Sequence, residues 1–449
     1  MRAAVAAGHP ATVDAGIEIL EDGGNAADAA VAASLASCVA ETVMTGLLGG
    51  GHAIVLREGD VRTLDFFVAV PGLGAEPRKV ELEQLQVPFG TELIHYAVGI
   101  GSCGVPGVLP GLGELWRRDG SLPWARLVEP ALKLARDGVE MLPAHASCLE
   151  MLAPVMTMRE GGRIYSPTGS LLQTGDRLEQ PGLVPALEAV AEEGAASPTV
   201  EGALLALMEE RGGLVTHEDL RSYRAVWGEP GRIEFRTKEI ASRVGLASPL
   251  PALARLDGFD AVSMAKTLAI DVDRAGDTTN ISVVDREGDA VVLTTSLGLG
   301  SGDWLPDLDL HLNSMLGEAD LLIGGDPVPG RRMPSMMAPT FAFDEGGLAL
   351  AVGAAGGTRL RSALVQVVSG VVDEGLSLGD AVDRPRLHPV GDVVHLEPGF
   401  PDRVPEVLEA EGFAVRRWPS LHHYFGGVSA VSPSGAAGDP RRSGASRRL

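Results

Sequence analysis

The chain has 449 residues, 45% hydrophobic and 22% charged, which is enough apolar side chain to bury a large core and excludes disorder as the main state. With 60 acidic against 37 basic residues its formal charge is −23, which argues against nucleic acid or an anionic membrane as partner. Cys38, Cys103 and Cys148 are scattered, with neither a C-x-x-C pair nor metal-ligand spacing, so neither a disulfide framework nor a zinc site is expected. Residues 1–10 are too short and too weakly apolar for a signal peptide, and no membrane-length apolar run follows; the chain reads as cytoplasmic and without metal or other cofactor.

In chain order, Ala11–Leu20 and Asn25–Val39 are Ala-rich with apolar residues at helical spacing, and Asp22-Gly23-Gly24 stops one helix and lets the next begin. A glycine cluster at 46–51 leads into a short apolar strand, His52–Leu56, with Val61–Phe67 as its hairpin partner. Pro110–Tyr223 reads as a helical layer, with periodic stretches at Leu127–Ala135, Leu183–Glu193 and Leu204–Glu210. Between Trp227 and Gly276 the pattern weakens into short polar and Pro-containing pieces, which predicts an exposed segment.

The character then changes. Asn280–Asp285 and Ala290–Ser296 are β-rich runs around the turn Arg286-Glu287-Gly288-Asp289, a hairpin that begins at Thr278. Thr340–Phe343 and Leu348–Val352 form another strand pair, followed by residues 353–357, which are glycine and alanine, and by an apolar helix from Thr358 to Asp373. Pro433–Leu449, rich in Arg, Gly and Ser, is expected to be loose at its end. Strands and helices at both ends of the chain predict an α/β fold of two packed sheets, each covered by helices: a four-layer αββα sandwich.

Two places carry chemistry. Thr278 puts a hydroxyl at a strand start after a long unpatterned segment, although a threonine there is also ordinary β-propensity. Gly356-Gly357 fall between a buried strand and a helix start, where backbone N–H groups and the helix dipole face incoming negative charge. No Gly-Lys-Ser/Thr follows, which disfavours a phosphate loop.

The motifs around these residues resemble those of the γ-glutamyltransferase (γ-glutamyl transpeptidase) family over most of the chain. Gly23-Gly24-Asn25-Ala26-Ala27-Asp28-Ala29-Ala30, the glycine loop at 46–51, Val105-Pro106-Gly107, Leu122-Pro123-Trp124 and residues 212–220 match in the first half. In the second half Thr278-Thr279, Ser282–Asp285, Leu312–Met315, Pro334–Met336, Gly353–Arg359, Pro385–His388 and Gly438–Arg442 follow in the family's order. The resemblance implies an N-terminal-nucleophile (Ntn) hydrolase, a single domain over 1–449 that cuts itself between Asp277 and Thr278 into chains 1–277 and 278–449, which stay together as a heterodimer. It makes Thr278 the nucleophile, Ser296 the second hydroxyl beside it, Gly356 and Gly357 the oxyanion hole, and Phe67, Asn313, Ser314 and Ser335 the substrate side. The substrate would be a small amide or γ-glutamyl-like compound, with no nucleic acid or membrane as partner.

Against the family's pattern, Phe67 stands where an arginine pairs with the substrate carboxylate, Gly298 replaces a substrate-contacting asparagine, and Leu316-Gly317 replace acidic residues that bind the α-amino group. Glu318 or Asp320 could shift into that last role. Pro334 replaces one of two serines, Asn280 replaces a histidine, and the segment before the cut is shortened. A phenyl ring cannot make the bidentate pairing of arginine with a carboxylate, so the retained hydrolytic core is expected to act on a less charged acyl group. The alternatives are a true γ-glutamyl hydrolase or transpeptidase, a hydrolase of carbon–carbon bonds in a specialised pathway, and an unprocessed scaffold.

Overall fold

The computed structural model describes residues 2–76, 78–80, 82–89, 92–269, 278–318 and 327–449. Two antiparallel sheets dominate it. In the first, seven strands run in the order Ala445–Arg448, Ala4–Ala7, Thr279–Val284, Ala290–Ser296, Gly50–Arg57, Asp60–Phe66 and Val226–Gly228. In the second, six run in the order Ala436–Gly438, Gly427–Val431, Gly347–Ala355, Thr340–Asp344, Lys238–Ser242 and Gly231–Phe235.

Strand alternation builds the layers. Ile281, Val283, Val291 and Leu293 share a core with side chains of the helices Pro10–Glu21, Ala26–Ala40 and Trp124–Asp137. Their strand neighbours Val284, Ala290 and Val292 turn the other way and meet Ala241, Phe341, Ala351 and Val431 of the second sheet. That sheet's outer face, with Ile240, Leu350 and Val352, lies against the helices Ala261–Leu268 and Arg359–Val372. The result is the expected αββα sandwich.

Local chemistry sets the helix ends that matter for the site. Asn25 and Asp28 form a capping box at the start of Ala26–Ala40, every residue of which is buried, and its small side chains let it lie close to the central strands. It ends at Glu41, whose amide still donates to the Ser37 carbonyl at 2.8 Å.

Two expectations are corrected. The region after Trp227 is not an exposed connector: Gly231–Phe235 and Lys238–Ser242 form an edge hairpin of the second sheet, followed by the helices Leu250–Arg255 and Ala261–Leu268. An edge strand with alternate residues exposed has too few apolar positions to stand out in the sequence. Nor is the C-terminus loose, because Ala445–Arg448 pairs with Ala4–Ala7, a strand that the sequence reading passed over. Just before it, Arg441 is buried against Glu397 and lies 3.2 Å from Asp439, which also pairs with buried Arg386 at 2.6 Å. Composition cannot show that these arginines have buried partners. Among the described residues, no helix is long and apolar enough to cross a membrane.

Candidate active site

Strand parity decides which side chains meet. Thr279 pairs with Thr295 across the central hairpin, so the next residues outward are Thr278 and Ser296. Residues two apart share a face, which turns Thr278 the same way as Asn280 and Ser282, toward the second sheet. There Ser282 Oγ donates to the Ser429 carbonyl at 2.8 Å, and Ser429 Oγ donates to the Asn280 carbonyl at 3.0 Å. Ser296 shares its face with Thr294, whose hydroxyl lies 2.8 Å from the Asn280 side-chain amide.

Thr278 and Ser296 line an open cleft together with Gly357, Ser335, Glu318 and five apolar side chains: Phe67, Met315, Met336, Met337 and Leu360. The Ser296 hydroxyl accepts from the Gly298 amide at 2.8 Å. Gly356 and Gly357 sit at φ 120° and 57°, and a Cβ on Gly356 would come within 3.0 Å of the Gly426 Cα. Their carbonyls accept from the amides of Arg359 and Leu360 at 3.1 and 3.3 Å, which starts the helix Arg359–Val372. A helix N-terminus carries amides with no intrahelical acceptor and a partial positive charge, here beside Thr278.

The opposite wall is apolar at its surface and positively charged behind it. The Phe67 ring stacks on buried His52 with centroids 5.6 Å apart, and its carbonyl accepts from Tyr223 at 2.7 Å and Arg332 at 2.6 Å. Burial, then the charges of Arg243 and Arg332, hold the His52 pKa well below its ordinary value, so the ring is neutral. Arg243 donates to the carbonyls of Ser335 and Met337 at 3.0 and 3.1 Å, fixing that stretch of the wall. Gly298 sits at φ 70°, where a side chain is strained, and a Cβ there would lie 2.5 Å from Glu318 Oε1 at the far end of its side chain.

The residues expected at the site divide accordingly. Thr278, Ser296, Gly357, Phe67 and Ser335 come together in the cleft, with Gly356 immediately next in the chain. Asn313 and Ser314 are buried outside its lining. The Asn313 amide donates to the Leu48 and Gly104 carbonyls, both at 2.9 Å, and so ties the glycine loop to the 103–105 segment, while Ser314 Oγ accepts from the Leu299 amide at 3.1 Å. Asp277 and Asp320 lie outside the described residues.

The sequence reading gave Met315, Met336, Met337 and Leu360 no site role, because side chains drawn from short loops and a helix start share no periodic signal. It also passed over Glu41. This fully buried carboxyl accepts from Thr12 Oγ1 at 2.7 Å and from Thr279 Oγ1, and it borders a second small cavity that Thr278 also lines. Burial pushes its pKa up to about 7, against the opposing effect of the two hydroxyls and Arg442.

A family model for gamma-glutamyltranspeptidase matches residues 12–266 and 253–448. An acylase ACY 1 proenzyme of Pseudomonas sp. (strain V22) is 30% identical over 512 residues, covering 96% of this chain and 90% of that protein. The glutathione hydrolase proenzyme of Escherichia coli (strain K12) is 28% identical over 535 residues, covering 97% and 90%. Among solved structures, a cephalosporin acylase from Bacillus halodurans matches 99% of this chain and 95% of its own at a TM-score of 0.83 and 21% identity, a likeness of fold.

Proposed function

Because the chain belongs to the gamma-glutamyltranspeptidase family, we propose that it is a self-processing N-terminal-nucleophile amidohydrolase that uses Thr278 on substrates with an uncharged, largely apolar acyl group. One observation carries the reading: the cleft that holds Thr278, Ser296 and Gly357 is walled by Phe67, Met315, Met336, Met337 and Leu360. A substrate carboxylate there would face thioethers and a phenyl ring. Burying a carboxylate without a partner costs several kcal/mol. The relatives' own names, an acylase proenzyme and a glutathione hydrolase proenzyme, agree with amide cleavage after a precursor stage.

In the precursor the Thr278 hydroxyl attacks the Asp277 carbonyl, the acyl group moves from nitrogen to oxygen, and water hydrolyses the ester. The products are chains 1–277 and 278–449, held together by the strand pairing of Thr279–Val284 with Ala4–Ala7. The freed α-amino group has an ordinary pKa near 7.7–8.0, so its neutral form can take the proton of its own hydroxyl. In turnover Thr278 Oγ attacks the substrate amide, Gly356 and Gly357 amides face the developing oxyanion, and the amine leaves with the transferred proton. Water or an acceptor amine then releases the acyl group.

A second reading rests on Glu318. Its carboxylate in the cleft can hold a substrate ammonium group, which keeps γ-glutamyl amides as candidates without a partner for their α-carboxylate. A denaturing gel and a substrate panel test both readings. Wild type should give two fragments, and Thr278→Ala one intact chain. Hexanoyl and phenylacetyl p-nitroanilides should be hydrolysed faster than γ-glutamyl p-nitroanilide; the reverse order overturns the apolar-acyl reading and favours the second.

A further inference from the structure

Thr279 faces the opposite side of its strand from Thr278, toward the helices, and there its hydroxyl donates to Glu41. The second oxygen of the same carboxyl accepts from Thr12 Oγ1 at 2.7 Å, so one side chain joins the helix Pro10–Glu21, the end of Ala26–Ala40 and the first residue of the nucleophile strand. The space is shaped around it: a Cβ on Gly8 would fall 2.4 Å from Glu41 Oε2 and 3.0 Å from Thr279 Oγ1. Taking the Thr278 reading above as its premise, we propose that Glu41 is a positioning residue for self-cleavage. Its carboxylate holds Thr279 from behind and so fixes Thr278 at the angle from which its hydroxyl reaches the preceding carbonyl.

A carboxylate gives each threonine hydroxyl a charged acceptor, whereas the protonated acid turns one oxygen into a donor and weakens its hold on the hydroxyl bonded there. The latch is therefore complete only when Glu41 is ionised. The groups that face it decide when that happens. Burial favours the acid, and so does any negative charge on Cys38, but that thiol is itself pushed up to about 12 and stays neutral. Arg442 favours the carboxylate, and Asp439, which borders the same cavity, is engaged by Arg386 and Arg441. The balance puts the change at about pH 7.

The sign for stability is opposite to the sign for reactivity. Because the folded-state pKa is raised, the folded chain holds this proton more tightly than the unfolded chain does. That contribution is full in acid and is lost as pH rises through the ordinary carboxyl range to about 7. Glutamine imitates the neutral form. A residue with only a structural role should destabilise the fold when changed to Gln, whereas Glu41→Gln should be at least as stable as wild type at about pH 8 and slower to cleave.

The test follows full-length chain made by cell-free translation and shifted to buffers between about pH 6 and about pH 9, reading the appearance of the 278–449 fragment on denaturing gels. The wild-type rate should climb with pH and level off above about pH 7. Glu41→Gln should lose that step and cleave about ten- to a hundredfold more slowly at about pH 8, with its melting temperature unchanged or higher. Thr279→Val should reproduce the slowing, and the double variant should be no slower than Glu41→Gln, since both act through one contact. A Glu41→Gln profile equal to wild type, or a rate loss that parallels a fall in melting temperature, overturns the proposal alone. Cleavage that persists in Thr278→Ala, or a wild type that never cleaves, overturns the Thr278 reading and this inference with it.

Discussion

The wall of the cleft that carries Thr278, Ser296 and Gly357 is made of strand ends and a helix start, whereas the wall of Phe67, Met315, Met336 and Met337 is made of segments that leave or lie outside the two sheets. In the first wall, ladder hydrogen bonds fix the backbone: Thr279–Val284 pairs with Ala290–Ser296 along its length and with Ala4–Ala7 from Ile281 onward. In the second, it is fixed by single contacts, such as Arg243 to the carbonyls of Ser335 and Met337. The difference teaches where change is tolerated. A reacting group needs its position held within a fraction of an ångström, which a ladder provides, while a recognition surface can be exchanged residue by residue on loops.

The sharpest way to break this comparison is at the first wall. On the proposed reading, Thr278→Ala should abolish self-cleavage and lower amide hydrolysis by at least about 10³-fold, because the attacking hydroxyl is removed. Its melting temperature should barely move, since a small side chain at the end of a strand carries little of the core. A variant that still cleaved would place the reacting group elsewhere and dissolve the distinction between the walls.

A smaller effect is expected at the helix start. Gly356 is held at φ 120°, a region that side chains rarely adopt, with the Gly426 backbone 3.0 Å from where a Cβ would lie. Gly356→Ala should therefore displace the helix start beside Thr278 and, on the proposed oxyanion-hole reading, lower kcat by about 10²–10³-fold with KM near the wild-type value. A rise in KM with kcat unchanged would assign this glycine to substrate binding instead.

Legibility in the sequence follows the same division. The hairpin Thr279–Ser296, the glycines at 356–357 and the helix after them were readable, because strand alternation, turn residues and helix periodicity are local signals. Glu41 was not: its two partners lie 29 and 238 positions away, and nothing in the Ala-rich run before it hints that a carboxyl ends the helix in the core. The edge strands Gly231–Phe235 and Ala445–Arg448 were missed for a related reason. One is half-exposed and the other is rich in arginine, so each owes its place to a neighbour rather than to its own pattern. Asn313 came from motif resemblance alone, and the structure spends its amide on the Leu48 and Gly104 carbonyls, a contact no spacing rule encodes.

The mildest expected effect is also the most informative about the second wall. Phe67→Arg would put a third cation near Arg243 and Arg332, which add to burial in keeping His52 neutral, with Asp65 as the nearby anion at 3.3 Å from Arg332 Nε. The new guanidinium should turn into the cleft, away from the two arginines, where a substrate carboxylate can pair with it bidentately. The kcat/KM ratio of γ-glutamyl to hexanoyl p-nitroanilide should then rise about tenfold, through a lower KM for the first and a higher KM for the second, with kcat for either changed less. Phe67→Ala is the control, since it removes the ring without adding charge and should weaken hexanoyl binding only. If Phe67→Arg loses both substrates equally while Phe67→Ala does not, the added charge has disturbed the His52 layer rather than the recognition surface. If the ratio stays fixed in both variants, the acyl group does not lie against this wall.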